Sequence, residues 1–334
     1  MSEALATVIV VTFNSAKWLA RQRSALEAQT EKSWRLIVVD NASRPEERPR
    51  LSDLPACATL IQNEDNIGFA AANNLAASHA DTPYLALLNP DAFPEPGWIA
   101  ALIAAAQRHP QAAAIGSTQL RADAPDVFDG TGDVLHATGL AYRSNYGRSA
   151  AARPALAETF SACAAAMLVR RDAFEAAGGF DERFFCYFED VDLGFRLRLA
   201  GWRVLQSPDA VALHVGGGAV GPNSEFAQFH GARNRLWAFV KCMPAGLFWA
   251  LLLPHAALSM LAATRACIRA QTFAAWRGLW AGLIGVAPMW RSRVELQRKR
   301  TAGVMQIARA LAWSPLLLLT RRAVPRALPT QPRG

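Results

Sequence analysis

The first third of the chain alternates short apolar runs with longer stretches of helical periodicity. The apolar runs cover residues 7–12, 36–40, 59–61, 84–88 and 112–117. The helical patterns cover residues 16–28, 69–78 and 97–108, and Ser15 stands where a cap of the first helix would be. The runs are apolar on both faces, which is typical of strands covered by helices on both sides. The alternation predicts an α/β fold with a mainly parallel central sheet flanked by helices.

The pattern is weaker in the middle of the chain. Residues 121–160 are rich in Gly, Asp, Ala and Arg, and they predict loops with short strands. Helices are predicted over 171–177 and 190–200, and short strands over 203–205 and 210–215. The Gly-rich stretch 216–223 is predicted to be mobile.

A different character begins after Lys241. Residues 242–264 form 23 residues without formal charge, which is long enough to cross a bilayer, although Pro254 and His255 interrupt the run. Two further apolar runs, 278–290 and 310–320, are too short to span. The pattern favours helices lying on a membrane surface. A true span over 242–264 and a soluble helical cap are the alternatives, and the Pro- and Arg-rich end, 323–334, is predicted to be disordered.

Charge divides the chain at about the same place. Residues 241–334 hold 14 Lys and Arg and one acid, which gives +13, whereas residues 1–240 hold 21 basic and 26 acidic residues, which gives −5. Arginines interleaved with Leu, Ala and Trp favour an anionic membrane surface over nucleic acid as the partner. We therefore predict a catalytic domain over 1–240 and a membrane-associated extension over 241–334. The five cysteines show no CxxC spacing, which fits a reducing cytosolic compartment and no structural zinc.

Polar residues follow each of the first four predicted strands. They are Thr12 and Asn14, then Asp40, then Asn66 to Gly68, then Asn89 to Asp91. Each could be an ordinary turn or cap, but ligands of open parallel sheets bind at the carboxyl ends of the strands. No GxGxxG follows the first predicted strand, where residues 12–17 contain no glycine, and GxxxxGK[ST] does not occur, so a Gly-rich loop does not cradle phosphates at this strand end. A divalent cation is the expected substitute, with Asp91 as its best-placed carboxylate.

A cluster of acids among aromatic residues occupies 184–193. Glu189, Asp190 and Asp192 predict a metal, a cationic partner or proton-transfer chemistry. The alternative is an acidic first turn of a helix, which the helix dipole favours. Further along, Arg233 and Asn234 are predicted to be a pair on a helix surface, with a phosphate contact as the alternative.

Taken together, these motifs resemble the inverting family-2 glycosyltransferases of the GT-A fold, near the bacterial rhamnosyltransferases. The resemblance covers about residues 5–240, and its ordered pieces are VIVVTFN (8–14), VVDNAS (38–43), NIGFAAANN (66–74), LLNPD (87–91), GGFDE (178–182), FEDVDL (188–193) and His214.

The resemblance implies a role for each matching residue. Asp190 resembles the catalytic base, with Glu189 and Asp192 in support. Asn89-Pro90-Asp91 occupies the place of the DxD motif, with Asn89 where the first Asp would be. Asp91 and His214 would then hold the metal, although a core histidine is the alternative for His214. The donor nucleotide would be bound by Thr12, Asn14, Asp40, Asn66, Gly68, Asn89 and Asp91.

The implied reaction moves a sugar from a nucleotide diphosphate to a lipid-linked or polysaccharide acceptor of the cell envelope. L-rhamnose from dTDP-rhamnose is the favoured donor, Mg²⁺ or Mn²⁺ the cofactor, and the cytoplasmic face of the membrane the location. No nucleic-acid partner is expected. A catalytically inactive nucleotide-sugar-binding scaffold of the same fold is the alternative, and a nucleotide-dependent oxidoreductase is disfavoured by the missing glycine fingerprint.

Overall fold

The computed structural model describes residues 4–216, 224–324, 326 and 328. Most of the stretch predicted to be mobile, 217–223, and most of the tail predicted to be disordered, 325, 327 and 329–334, lie outside the described residues.

Twelve strands form in the described part of the chain. They are β1 Ala6–Thr12, β2 Trp34–Asp40, β3 Ala58–Gln62, β4 Tyr84–Leu88, β5 Ala92–Pro94, β6 Ala112–Arg121, β7 Ala124–Gly130, β8 Asp133–Leu135, β9 Ala141–Arg143, β10 Ala157–Glu158, β11 Ala166–Arg170 and β12 Arg203–His214. The main sheet has the order β10-β12-β6-β11-β4-β1-β2-β3, with β5 paired to β12 and β7 to β6. Strands β8 and β9 form a separate two-stranded sheet.

The centre of the main sheet is mainly parallel, as the alternation of strands and helices predicts. Neighbours β4, β1, β2 and β3 run parallel, and β6 and β12 are parallel to each other. Strand β11 is inserted antiparallel between β4 and β6. The carboxyl ends of β1, β2, β3 and β4 consequently meet at one edge.

Two predicted strand limits are wrong. The short strands expected over 203–205 and 210–215 are one strand, β12, whose register against β6 shifts between Ser207 and Val211. Pro208 lies in this irregularity, where a missing backbone N–H breaks the ladder only locally. The strand expected to end at Ser117 continues to Arg121, because β12 and β7 pair with its second half.

Helices cover both faces of the sheet and account for its two cores. They are α1 Ala16–Glu27, α2 Gly68–Ser78, α3 Trp98–Arg108, α4 Arg171–Ala176 and α5 Glu189–Leu199. One core packs α1 and α3 against the sheet, and the other packs α2, α4 and α5 against the opposite face. Ser15 precedes α1 without capping it, since its hydroxyl donates to the carbonyl of Phe13.

Six more helices make up most of the C-terminal region. They are α6 Glu225–Cys242, α7 Ala245–Ala270, α8 Ala274–Ile284, α9 Val286–Lys299, α10 Val304–Ala310 and α11 Leu316–Thr320. A third core joins α5 to this group. The predicted division at residue 240 falls near the end of α6, and the two-part organisation stays a prediction.

Helix α7 continues through Pro254 instead of breaking there. By length and composition it is the one helix among the described residues that could cross a membrane, and 17% of its most apolar window is buried. The apolar run 278–290 divides at Gly285 between α8 and α9. The run 310–320 is helical only over α11 in its second half, apart from the last residue of α10.

Candidate functional site

Polar side chains connect the ends of β1 and β2, where the strand register brings them side by side. Thr12 lies opposite Asp40 in the parallel pair, and its hydroxyl donates to a carboxylate oxygen of Asp40 at 3.1 Å. Asn14 links the next loops, because its Oδ1 accepts from the backbone N–H of Arg44 at 2.9 Å. Thr12 and Asp40 are almost fully buried. These three residues shape the loops behind the site.

A chain of amides connects the ends of β2 and β3. The side chain of Asn41 donates to Oδ1 of Asn66 at 2.8 Å, and the same oxygen accepts from the N–H of Gly68 at 3.0 Å. Gly68 has φ +88°, and a Cβ there would lie 2.5 Å from the ring of Phe185. Glycine at this position thus lets the segment containing Phe185 pack against the start of α2.

Asp91 meets His214 where β5 and the end of β12 lie side by side. Nε2 of His214 is 3.4 Å from Oδ1 of Asp91, and Nδ1 of the same ring is 2.7 Å from Oδ2 of Asp129. Arg143 also reaches Asp129, at 2.5 Å. Although burial alone would raise the pKa of Asp129, the bond from His214 and the charge of Arg143 lower it below its usual value. His214 is therefore a buried histidine with one ring nitrogen fixed by a carboxylate.

Asp91, Arg143 and His214 line a cavity of about 340 Å³, which we call the strand-end cavity. Its polar wall comes from the ends of the parallel strands and from β9 and β12: Ser15, Asn41, Asn66, Asn89, Asp91, Arg143 and His214. Its apolar wall includes Trp18, Phe69, Phe185, Tyr187 and Phe226. A cavity of this size, with aromatic faces and a few converging polar groups, suits a small polar ligand with a ring.

A second cavity of about 380 Å³, the acidic cavity, adjoins the first. The two share the lining residues Phe69, Asn89, Arg143, Cys186 and Tyr187. Only the acidic cavity is lined by Asp133, Cys163, Glu189 and Asp190. A ligand that fills both cavities would place one end beside Asp91 and the other beside Asp190.

Asp190 lies in the first turn of α5 and is held from two sides. One carboxylate oxygen accepts from the N–H of Val191 at 2.8 Å, and the other accepts from the N–H of Ala164 at 3.2 Å. Burial raises the pKa of Asp190, while these bonds and the charge of Arg143 act in the opposite direction. A carboxylate with a raised pKa that borders a cavity is suited to accept a proton.

Asp192 and Glu189 have different surroundings. Asp192 is fully buried, and it binds Lys241 at 2.9 Å and Arg196 at 2.7 Å. Glu189 is buried, and its Oε2 has no hydrogen-bond partner in the described part of the structure. Burial and the charge of Asp190 raise the pKa of Glu189 well above its usual value. Of the three acids, Asp192 is committed to structural ion pairs.

Two polar atoms mark a place where a metal ion would fit. Among the described residues, Oδ1 of Asn89 is buried without a hydrogen-bond partner, and Nε2 of His214 is buried with the carboxylate of Asp91 3.4 Å away. All three residues line the strand-end cavity. An imidazole nitrogen and carboxylate or amide oxygens are ligands that Mg²⁺ or Mn²⁺ accepts.

A second group could also hold an ion by ligand type. Candidate ligand atoms of Asp133, Cys163 and Asp190 lie within 4.8 Å of one another. Burial and the charge of Asp190 raise the pKa of Asp133 well above its usual value, and burial raises that of Asp190, while the positive charge of Arg143 acts in the opposite direction on both. Burial raises the pKa of the Cys163 thiol to about 12, which disfavours a thiolate ligand. Asp133 and Asp190 thus share the influence of one guanidinium, that of Arg143.

Comparison with known proteins decides the family. The sequence model described as Glycosyl transferase family 2 matches residues 7–178, about half of the chain. The chain belongs to glycosyltransferase family 2. The match runs from β1 to the end of α4 and includes the strand-end residues described above. Asp190 and His214 lie beyond it.

A relative of this glycosyltransferase extends the match. This chain is similar to the N-acetylglucosaminyl-diphospho-decaprenol L-rhamnosyltransferase of Mycobacterium tuberculosis. The two are 31% identical over 260 residues, which cover 67% of this chain and 80% of the relative. The predicted membership of a rhamnosyltransferase-like group of family 2 enzymes is confirmed.

Two solved structures confirm the GT-A fold. A mannosyltransferase from Pyrobaculum calidifontis in complex with GDP-Man and Mn²⁺ superposes with a TM-score of 0.50 at 19% identity, over 92% of this chain and 87% of that one. GalNAc-T7 with UDP, GalNAc and Mn²⁺ superposes with a TM-score of 0.53 at 15% identity, over 63% of this chain and 43% of that one. These likenesses are likenesses of fold.

Several site residues have no sequence signal that predicts them. Asp129, Asp133 and Arg143 come from the 121–160 region, whose composition indicates only loops and short strands. They reach the site on β7, which pairs with the second half of β6, and on β8 and β9, which pair with each other. The resemblance to the GT-A enzymes has no motif in this region, so it does not point to any of these three residues.

Proposed function

We propose that this glycosyltransferase is a metal-dependent inverting enzyme that transfers L-rhamnose from dTDP-L-rhamnose to a lipid-linked or polysaccharide acceptor of the cell envelope. The observation that carries the proposal is the pair of adjoining cavities. One has a carboxylate and a histidine at its strand ends, and the other has a separate carboxylate with a raised pKa. A sugar at their junction would have the nucleotide diphosphate of the donor on one side and the acceptor hydroxyl on the other.

The strand-end cavity is the proposed donor site. Phe13, Trp18 and the asparagines at 41 and 66 would bind the nucleoside, with Thr12, Asn14, Asp40 and Gly68 holding those loops in place. Asp91 and His214, with Asn89 beside them, would hold Mg²⁺ or Mn²⁺. When bound, the ion would neutralise the charge that gathers on the leaving diphosphate. Asp129 would hold the His214 ring in place for this role, because it bonds to the other ring nitrogen.

Asp190 is the proposed base. The acceptor hydroxyl would attack the anomeric carbon from the face opposite the diphosphate, and Asp190 would take its proton as the new C–O bond forms. The bond from the anomeric carbon to the diphosphate oxygen breaks at the same time, and its electron pair leaves with the diphosphate. Arg143 lines both cavities, so its guanidinium can stabilise negative charge on either side of the reacting carbon.

The choice of sugar and acceptor rests on the relative. That protein is named as a rhamnosyltransferase acting on N-acetylglucosaminyl-diphospho-decaprenol, which is a lipid-linked saccharide. An acceptor of this kind is presented at a membrane surface. The proposed location is therefore the cytoplasmic face of the cell membrane.

The C-terminal helices support peripheral attachment more than a span. Of the twenty exposed large apolar side chains among the described residues, sixteen lie between Trp249 and Leu319. Helix α7 buries Phe248, His255 and Ser259 against the rest of the molecule, and Nδ1 of His255 bonds to the carbonyl of Thr138 at 2.8 Å. A helix docked along one face in this way is suited to lie on the bilayer, with arginines at its surface.

A donor screen tests this function. Thermal shift with a panel of nucleotide sugars, each with Mg²⁺, Mn²⁺ or EDTA, should single out dTDP-L-rhamnose and require the metal. Transfer of radiolabelled rhamnose to a polyprenyl-diphospho-N-acetylglucosamine acceptor should follow. Binding of a nucleotide sugar with neither transfer nor hydrolysis would instead support the inactive scaffold.

A further inference from the structure

The segment between the short helical turn at Glu182–Phe184 and α5 is strained. We call residues 184–188 the aromatic turn. Within it Phe185 has φ 63°, Tyr187 has φ 68° and Phe188 has φ 68°. Bulky residues rarely adopt positive φ, and each such residue costs on the order of 1–3 kcal/mol. A turn with three of them keeps this shape only where the surrounding structure holds it.

Asn234 of α6 supplies that hold. Its side chain is fully buried, and its Nδ2 lies within hydrogen-bond distance of the carbonyl oxygens of Phe184, Cys186 and Tyr187, at 2.8, 2.9 and 2.7 Å. The neighbouring Arg233 donates to the carbonyl of Phe184 at 2.9 Å and to Oδ1 of Asn234 at 2.9 Å. The predicted helix-surface pair is therefore wrong for Asn234, which points into the protein.

The aromatic turn reaches both cavities. Phe185, Cys186 and Tyr187 line the strand-end cavity, and Phe188 lines the acidic cavity directly before α5 begins. Asp190 follows two residues after Phe188. A rotation of this turn would move the wall of the proposed donor site. It would also change the direction in which α5 presents the carboxylate of Asp190.

We propose that Asn234 is a positioning residue that clamps the aromatic turn and thereby sets the position of Asp190 relative to the donor. The role is positional because Asn234 contacts backbone carbonyls and lies outside the lining of both cavities. The consequence for catalysis rests on the proposed function, whereas the clamp itself does not.

Helix α8 of the C-terminal extension packs against the part of α6 that carries the clamp. A Cβ at Gly278 of α8 would lie 2.2 Å from the carbonyl oxygen of Phe229, and one at Gly282 would lie 3.4 Å from the carbonyl oxygen of Arg233. The Nε1 of Trp237 donates to the carbonyl of Gly282 at 3.0 Å. Helix α8 thus fits closely along the stretch of α6 that carries Asn234.

The test compares Asn234→Ala with Leu236→Ala in the full-length protein. Leu236 is a partly buried residue of the same helix that packs against the third core, so its truncation weakens the packing of α6 but leaves the clamp amide in place. We expect Asn234→Ala to lower kcat by about 10- to 100-fold, because small misplacements of reacting groups cost this much. Affinity for dTDP-L-rhamnose with Mn²⁺ should change by less than about threefold, because the strand-end ligands are untouched. Leu236→Ala should lower the melting temperature at least as much, with kcat within about threefold.

A second readout does not depend on activity. Cys186 lies in the aromatic turn, and burial raises the pKa of its thiol well above the usual value, so it should react slowly with a maleimide. Loss of the clamp should speed labelling of Cys186, located by peptide mass spectrometry, by about tenfold, while Leu236→Ala leaves it unchanged. Unchanged Cys186 labelling in Asn234→Ala, or equal loss of kcat in both variants, would overturn the proposal.

A third variant covers the case in which Asn234→Ala is insoluble. Arg233 is partly exposed, and Arg233→Gln removes its hydrogen bond to the carbonyl of Phe184. This variant should also lower kcat and speed Cys186 labelling, by smaller factors than Asn234→Ala. No change in kcat or in Cys186 labelling for this variant would count against the clamp. If the unmutated protein transfers no sugar at all, the proposed function fails, and Cys186 labelling still decides whether the clamp exists.

Discussion

Two carboxylates on the same turn of α5 have opposite surroundings. Asp190 accepts two backbone N–H groups and borders the acidic cavity, whereas Asp192 is fully buried between Lys241 and Arg196. The first can exchange a proton with a ligand, and the second holds the start of α5 against α6. The difference in environment, rather than in residue type, separates the proposed base from the residue that supports the fold.

Substituting each acid with its amide should separate these roles. Asp190→Asn should lower transfer by at least about 100-fold with little loss of stability, since a general base contributes this much. Asp192→Asn breaks a buried ion pair and should cost about 3 kcal/mol of unfolding free energy. Urea unfolding and initial rates measure the two effects. Near-normal transfer by Asp190→Asn would mean that another group accepts the proton.

Arg143 should set the acidic limit of activity. Its charge lowers the pKa of Asp190, against the larger effect of burial, which raises it. Asp190 must be ionised to act, so activity falls as the pH is lowered through its pKa. Removing the guanidinium in Arg143→Gln should raise that pKa and move the acidic limb of kcat to higher pH. Arg148→Gln, on an exposed residue of the same region, is the control, and an unmoved limb in Arg143→Gln would contradict the assignment.

The residues that carry motifs could be predicted from the sequence, and their partners could not. The structure brings Asp91 and His214 to one cavity and Asp190 to the next, as the resemblance implies, and their roles stay proposals. Thr12, Asn14 and Asp40 lie outside the lining of both cavities, and their role in donor binding stays a prediction. Asp129 and Arg143 reach the site only through tertiary folding of short strands, which leaves no periodicity in the sequence.

At the scale of elements, the contact between α6 and α8 depends on two glycines one turn apart. Helix α8 approaches α6 so closely at Gly278 that an added methyl group would overlap the backbone of Phe229. The outer side of α8 exposes Trp280, Leu283 and Ile284. One helix therefore joins the proposed membrane surface to the helix that holds the aromatic turn.

Gly278→Ala should weaken this contact. The two helices must separate to admit the methyl group, and overpacking of this kind costs about 1–3 kcal/mol of unfolding free energy. Gly246→Ala in α7 is the matched control, because nothing lies within 4 Å of its added Cβ. The control should lose no stability and could gain up to about 1 kcal/mol. Chemical denaturation of both variants measures the difference, and equal stabilities would mean that the contact is looser than described.

Buried strands and long helices were predictable because their periodicity is strong. Strands β1, β2 and β4 match their predicted ranges to within two residues, since each is buried on both faces. The sequence pattern predicts β12 as two pieces, and pairing with β6 on both sides of Pro208 joins them into one strand. Helix α7 also continues through Pro254, although a proline within a helical pattern favours a break at that point.

For the whole molecule, the exposed apolar side chains and the basic charge lie in the same region. Triple substitution of Trp280, Leu283 and Ile284 by Ser should reduce sedimentation with vesicles that contain anionic lipid, because it removes apolar area from the proposed contact. Leu51→Ser, an exposed leucine on the catalytic body, is the control. The binding that remains should weaken as salt is raised. Undiminished sedimentation of the triple variant would place the membrane contact elsewhere.

The central claim is that donor binding and proton abstraction belong to two separate carboxylates, Asp91 and Asp190. Titration calorimetry of dTDP-L-rhamnose against the unmutated protein, Asp91→Ala and Asp190→Asn, each with Mn²⁺ and with EDTA, tests it directly. The account predicts metal-dependent affinity in the unmutated protein, its loss in Asp91→Ala, and affinity within about threefold of normal in an inactive Asp190→Asn. Equal affinity with Mn²⁺ and with EDTA in the unmutated protein, or loss of donor binding in Asp190→Asn, would contradict it.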